Sequence, residues 1–429
     1  MKETNVNVHY ITRVEGHGNI ILKAKDGKIE ELTWEVIEAP RLFEAMLRGR
    51  SWEDVPMIAS RICGICSIAH TTASIQAIES AFGVTISDQT RLLRKLLFNA
   101  ELLESHVLHT LFLAAPDFLG VKSVIPLVDT HQDVVIIALH LKKLAYNLAE
   151  AIAGRKTHPL TCLVGGFARI PDIGVLSSIK QRLENARGDI ASIIAIFKNV
   201  NIPDFKRETE YIALKDSRGY AFIDGNIAST DADAVSIDDY LAVTNEFCVP
   251  WSTAKFTRHK RDSYQVGALA RFNLNSSQLL PEAKATAMEL GLKAPCHNPY
   301  LITLAQVVEI VQALEDSINI IAELKDGGLK TEIPVVRIKA GRGVGALEAP
   351  RGILFHDYTF DGKGILVNAN CIIPTNQNHN NIQKDLQVLA PQILAYPENE
   401  IRLKLEMLVR AYDPCISCST HALRVEVQK

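Results

Sequence analysis

No apolar run in this chain is long enough to cross a bilayer. The best candidate, between Glu104 and Asp117, holds about a dozen residues and ends at Pro116, whereas a helical span needs about 20. Charge of one sign is not in excess either: 46 Lys+Arg against 49 Asp+Glu leave a net charge of −3, which gives no reason to expect nucleic acid or an anionic membrane as a partner. Repeats, low-complexity tracts and linker-like stretches are absent, which excludes solenoids and strings of tethered domains. Although 429 residues would allow two or three domains, a single interwoven body over 1–429 is expected. The start, Met1-Lys2-Glu3-Thr4-Asn5, leads into strand-like alternation and not into the apolar stretch of a secretion signal, so a cytoplasmic location is expected. Cysteine is also scarce: eight residues in so long a chain read as reduced thiols and not as a disulfide framework.

What the chain does have is an uneven use of those eight. Cys162, Cys248, Cys296 and Cys371 stand singly and read as packing residues. The other four form two Cys-x-x-Cys pairs near opposite ends, Arg61-Ile62-Cys63-Gly64-Ile65-Cys66 and Asp413-Pro414-Cys415-Ile416-Ser417-Cys418-Ser419-Thr420-His421. A two-residue spacer lets both sulfurs of a pair turn toward one point, so the pairs offer four thiolates to one soft metal. Spacing alone leaves three readings open: a shared catalytic metal, a structural four-cysteine zinc site, or two unrelated pairs.

With 47% hydrophobic residues the chain can bury a substantial core, and its periodicities predict an α+β fold, predominantly α, with a long-helix core and peripheral β-hairpins. Asn19 to Ile37 alternates around Asp26-Gly27, a hairpin turn signal. Helical patterns follow at about 54–82, 88–113, 130–153, 175–199, 298–325 and 398–411. Ser87-Asp88 caps the second, and Leu92, Leu93, Leu96, Leu97 and Ala100 give it a core-facing stripe. The stretch 205–275 reads as irregular and β. Late in the chain, strands at about 351–359 and 363–371 flank Phe360-Asp361-Gly362-Lys363, and their pairing brings Arg351 and Pro374-Thr375-Asn376 to the same end. Gly341-Arg342-Gly343-Val344-Gly345 is like a dinucleotide loop but lacks the strand–turn–helix frame and the acidic residue beyond it. His106 and His109, one turn apart on an apolar helix, read as satisfied core histidines.

The words around the cysteine pairs resemble the large subunit of a nickel-iron hydrogenase. The likeness extends through Arg13-Val14-Glu15-Gly16-His17, His158-Pro159 with Val164-Gly165-Gly166, and Glu348-Ala349-Pro350-Arg351-Gly352, in the family's order. It implies reversible cleavage of H2, a reaction that asks for a Lewis-acid metal and a nearby base. Thiolates serve both, donating charge to the metal and accepting a proton. By resemblance Cys66 and Cys418 bridge nickel to iron, Cys63 and Cys415 are terminal on nickel, and the iron carries carbon monoxide and cyanide. Arg351, fixed by Asp413, lies over the open metal face; Pro350 packs on the diatomic ligands, and Thr375 donates a hydrogen bond to a cyanide. His70, one helical turn past Cys66, hydrogen-bonds a cysteine sulfur. Glu15 is the proton carrier. Glu44, His421 and the Cys371 main-chain oxygen hold a magnesium (or iron) ion, with magnesium favoured by the oxygen ligands.

The same resemblance implies partners. Too few cysteines remain for iron-sulfur clusters on this chain, so electrons pass to an iron-sulfur small subunit. Further flavin and iron-sulfur subunits are expected, because Pro374-Thr375-Asn376-Gln377-Asn378 departs from the common P-T/S-T-W-N form and is similar to the cytoplasmic multimeric branch, NAD(P)-linked or sulfhydrogenase in type. Ala422–Lys429 reads as a tail removed in maturation. Two competitors remain: a nickel-free quinone-module subunit like that of respiratory complex I, which lacks the paired cysteines, and a structural zinc protein, which has no use for Glu15, Arg351 and Thr375.

Overall fold

A computed structural model describes residues 3–420; His421 and the expected tail Ala422–Lys429 lie outside the described residues. The chain opens with an antiparallel sheet in the order β1 (Glu3–Val8), β2 (Gly18–Lys25), β3 (Lys28–Val36). Asp26 and Gly27 both have positive φ, 48° and 78°, as the type I′ turn of a two-residue hairpin requires. The sheet is pinned to the far end of the chain through Trp34, whose buried indole N–H donates to His379 Nδ1 at 3.0 Å.

After the short helix α1 (Phe43–Leu47) comes a difference from the sequence reading. The helix expected over 54–82 is broken: Val55–Ala59 and a 3-10 turn, Ser60–Ile62, end at Cys63 in extended backbone (φ −142°), and α2 begins only at Ser67 and runs to Phe82. Apolar spacing continues through the break, which is why periodicity misses it. The break serves the cysteines, because Cys63 Sγ accepts from the Ile65 and Cys66 amides at 3.3 and 3.2 Å.

The body is helical. α3 (Asp88–Val107) starts where predicted, Ser87 Oγ accepting from Thr90 N at 3.0 Å, and it packs between α4 (Gln132–Ala153) and the later long helix. The helix expected over 175–199 is two, α5 (Ile173–Asn185) and α6 (Arg187–Lys198). The irregular stretch contains the small sheet β4 (Glu210–Lys215), β5 (Asn226–Ser229) and β6 (Tyr264–Gln265). Beyond it lie α7 (Ala268–Asn275) and α8 (Ile302–Gly327). The end is built from β7 (Gly341–Ala349), β8 (Gly352–Phe360), β9 (Leu366–Ile372), α9 (Pro374–Ile393) and α10 (Glu398–Ala411).

The expected late hairpin is therefore the β8–β9 half of a three-stranded meander, with Phe355 opposite Ile372. The glycine-rich run is its third strand, β7, laid on the backbone of α2. A Cβ at Gly343 would stand 2.2 Å from Ala77 O and one at Gly345 2.0 Å from Ala73 O, so only glycine permits the contact. Two residues along the strand advance about 6.6 Å and four along the helix about 6 Å, so the two stay in step. Following them, β7 delivers Pro350 and Arg351 to the helix end that carries Cys66.

Replacing Gly345 by alanine forces a methyl into helix backbone. The expected loss is at least the roughly 1–3 kcal/mol of an overpacked core, read as a lower urea midpoint with unchanged slope. A wild-type midpoint would refute the close strand–helix approach.

Candidate metal centre

The four paired cysteines meet. Cys63 and Cys66 come from the turn ahead of α2, Cys415 and Cys418 from the turn after α10, and all four are buried with their sulfurs within 4.8 Å of one another. Cys63 Sγ is 3.6 Å from Cys415 Sγ. Hydrogen bonds from Cys415, Cys418 and Cys66 pull the Cys63 thiol well below the usual range. The same crowding pushes Cys66 and Cys415 well above it, as burial does for Cys418. One thiolate in this pocket opposes the next, and a soft divalent cation removes that conflict. The donor set therefore fits a thiophilic metal. The remaining cysteines are elsewhere, and Cys248 is exposed where core packing was expected.

Glu15 lies against the Cys415–Cys418 turn. Its main chain bridges that turn, Ile416 N donating to Glu15 O at 2.9 Å, and its carboxylate accepts from Ser417 N at 3.1 Å and from the Ser417 hydroxyl. Gly16 after it (φ 83°) leaves no room for a side chain, a Cβ meeting Ser417 N at 2.7 Å.

Arg351 occupies the two-residue turn between β7 and β8 and is buried. Its Nη2 donates to Asp413 Oδ1 at 2.9 Å and its Nε to Asp413 O at 2.6 Å, the predicted pairing. Burial opposes the charge, but Asp413 and the sulfurs of Cys415, Cys66 and Cys63 outweigh it and hold the guanidinium well above its usual range. Thr375, at the start of α9, accepts from Cys415 N at 3.1 Å, so the two segments predicted to share one end do so, with the C-terminal cysteine turn between them.

Other predicted residues fall into two groups. Glu44 accepts from Cys371 N at 2.8 Å, and Arg41 N donates to Thr420 O at 2.7 Å, so these segments converge on the last described residue. His70 is buried one turn past Cys66, its Nδ1 3.0 Å from His356 Nε2, and His356 Nδ1 is 2.6 Å from Tyr358 OH. Sequence reasoning missed His356 and Tyr358; their alternation on a strand eight residues after Glu348 was the available signal. His109 is a satisfied core residue, its two ring nitrogens bonded to Gln306 and to Arg410 O, whereas His106, equally buried, is bonded to Glu309 through Nε2 and its Nδ1 meets no partner among the described residues.

A family model described as nickel-dependent hydrogenase matches residues 41–133 and 250–421. The chain is 32% identical to the alpha chain of sulfhydrogenase 2 of Pyrococcus furiosus, over 98% of this chain and 100% of that protein. It is 29% identical to a chain of the vhc F420-non-reducing hydrogenase of Methanococcus voltae, over 99% and 96%. Among solved structures, an NAD+-reducing [NiFe]-hydrogenase in the H2-reduced state superposes with a TM-score of 0.88 at 24% identity, over 97% of this chain and 99% of that one.

The Arg351–Asp413 pair generates a stability prediction. Asp413→Asn leaves a guanidinium buried without its counter-charge, which costs about 3–5 kcal/mol. Chemical denaturation reads the loss; a cost under about 1 kcal/mol would mean that the guanidinium is balanced by the sulfurs alone.

Proposed function

The chain belongs to the nickel-dependent hydrogenases, as the large, catalytic component, and from that premise we propose that it splits H2 reversibly at a nickel-iron centre held by Cys63, Cys66, Cys415 and Cys418. The observation that carries this reading is the convergence of four buried thiols from both ends of the chain beside a carboxylate-clamped arginine. When bound, the centre supplies the Lewis acid that polarises H2, with carbon monoxide and cyanide on its iron.

The chain's own residues do the rest. Cys66 and Cys418 would hold both metals and Cys63 and Cys415 the nickel, and one of these sulfurs would serve as the base for the proton of H2. Glu15 takes that proton onward, its carboxylate being held by Ser417 in the same turn as Cys415. Arg351, oriented by Asp413, keeps a fixed positive charge over the reacting face and excludes water from it. Pro350 and Thr375 would line the pocket for the diatomic ligands, and His70 would support a cysteine sulfur by a hydrogen bond. Glu44, the Cys371 main-chain oxygen and His421 would hold a magnesium or iron ion. Electrons leave through an iron-sulfur small subunit. The names of the relatives, subunits alpha of sulfhydrogenases, support an assembly of several subunits; the cytoplasmic location and the further flavin or iron-sulfur subunits belong to the proposal. No helix among the described residues is long and apolar enough to cross a membrane. A nickel-free quinone-module subunit or a zinc protein has no support: all four cysteines are intact and framed by the hydrogenase motifs.

Metal analysis tests the centre. Nickel and iron are expected in near-equal amounts, with infrared bands of metal-bound carbon monoxide and cyanide; zinc alone would sink the proposal. The proton route has its own test in Glu15→Gln, which keeps the size and removes the titratable proton. Hydrogen–deuterium exchange should fall by about 10²–10⁴ at unchanged metal content, and near-normal exchange would rule Glu15 out.

A further inference from the structure

The turn that carries Arg351 is gripped from behind by a second, wholly buried arginine. β7 and β8 are joined by Pro350 and Arg351 alone, with Ala349 paired to Gly352. Two-residue hairpin loops normally use type I′ or II′ turns, whose first loop residue has positive φ. Proline fixes φ near −65°, so this loop cannot close in the usual way. Gly352 absorbs part of the difference at φ +136°, and the rest of the restraint comes from the segment crossing over the turn. A Cβ at Gly352 would stand 2.4 Å from Val266 Cγ2, and one at Gly267 2.9 Å from Arg351 O. That segment runs directly into α7, which carries Arg271.

Arg271 is 0% exposed. Its Nη1 donates to Ala349 O at 3.0 Å and its Nη2 to Pro350 O at 2.9 Å, the two carbonyls that precede Arg351. The remaining donors are also taken: Nη1 to Glu348 Oε2 at 2.9 Å, Nε to Glu309 Oε1 and Nη2 to Glu309 Oε2, both at 2.6 Å. A guanidinium has five N–H donors in a rigid plane, and each meets an acceptor here. Burial pushes both carboxylates up; at Glu309 the charge and hydrogen bonds of Arg271, helped by His106, win and bring it to about 2, while Glu348 is lifted to about 7. No other charged group is needed to account for so deeply buried an arginine, and no lysine could reproduce the fork.

We propose that Arg271 is a positioning residue for hydrogen cleavage: by holding the carbonyls of Ala349 and Pro350 it sets how Pro350 and Arg351 stand over the four-cysteine centre. The proposal rests on the hydrogenase reading above. Arg271 lies one layer behind the centre and acts through the turn.

Arg271→Lys in the purified holoenzyme complex is the test, because it keeps the charge and loses the fork. The chain is expected to carry nickel and iron in wild-type amounts while kcat for H2 oxidation falls at least tenfold and the g values of the nickel EPR signal shift. Tyr220→Phe is the comparator: it removes a 2.7 Å bond to Glu309 Oε1 without touching the turn, and should cost stability while leaving kcat and the nickel spectrum as in the wild type. Arg271→Lys with kcat within twofold of wild type and an unshifted spectrum overturns the proposal, whatever its melting temperature. Should Arg271→Lys fail to fold, Glu348→Gln carries the test, since it exchanges one carboxyl acceptor of the same guanidinium for an amide: a shifted nickel spectrum supports the proposal and an unshifted one overturns it. Amide exchange at Arg351 and Gly352 is read without turnover. Faster exchange there in Arg271→Lys, with the rest of β8 still protected, supports the positioning role, and unchanged exchange overturns it. A wild-type complex without nickel or H2 turnover would instead overturn the functional reading, leaving amide exchange to decide the positioning claim.

Discussion

One guanidinium ties the two cysteine loops together. Arg41 Nη2 donates to Ile62 O at 2.7 Å and to Ser417 O at 2.6 Å, with Nε adding a second bond to Ser417 O at 3.1 Å. Ile62 is the residue before Cys63 and Ser417 the residue before Cys418, so the fork spans the carbonyls next to one sulfur of each pair. Everything else at the site presupposes that closure, which joins the ends of a chain of more than four hundred residues. Contacts of such sequence separation form late and slowly in folding. The C-terminal turn is then stitched on from several sides: Glu15 by main chain and carboxylate, Thr375 through Cys415 N, and Arg410 through Asp117, which Arg13 also contacts.

Around this closure the interior carries several ion pairs. Arg351 with Asp413, Arg271 with Glu309 and Glu348, and Arg94 with Glu79 are all buried pairs. Such pairs contribute little net stability, because desolvation offsets most of the attraction, and removing one partner is far more damaging than removing both. What they supply is direction. A planar fork matched to two oxygens tolerates little rotation, so each arginine fixes the backbone or charge it faces more tightly than an apolar contact would.

Much of the site was legible from the sequence because its chemistry lies in short contiguous words. The cysteine pairs, Glu15 ahead of Gly16, and Arg351 with Asp413 were each readable, and the structure brings them together. The hairpin that puts Arg351 near Thr375 followed from turn chemistry alone. What stayed hidden depends on partners distant in sequence. Arg271 looks like an ordinary helical arginine until Glu309 of α8 and the Glu348–Pro350 end of β7 close on it, and His356 gains meaning only beside His70. The break in the helix at Cys63 was masked because its apolar spacing runs on, although sulfur accepting from two turn amides outweighs helical propensity there. Gly341, Gly343 and Gly345 were visible as glycines, but their reason is a helix backbone pressed against the strand.

That contact fixes a length. Between most elements the spacing is set by side chains, and it drifts when a leucine becomes a valine or a rotamer changes. Where β7 lies on α2 no side chain intervenes, so their separation is a dimension of the polypeptide backbone itself. The sulfur at the head of the helix and the guanidinium at the end of the strand are thus held on a common ruler that substitutions in the surrounding core leave unstretched. The rest of the interior is free to vary while the gap between those two groups keeps its calibration.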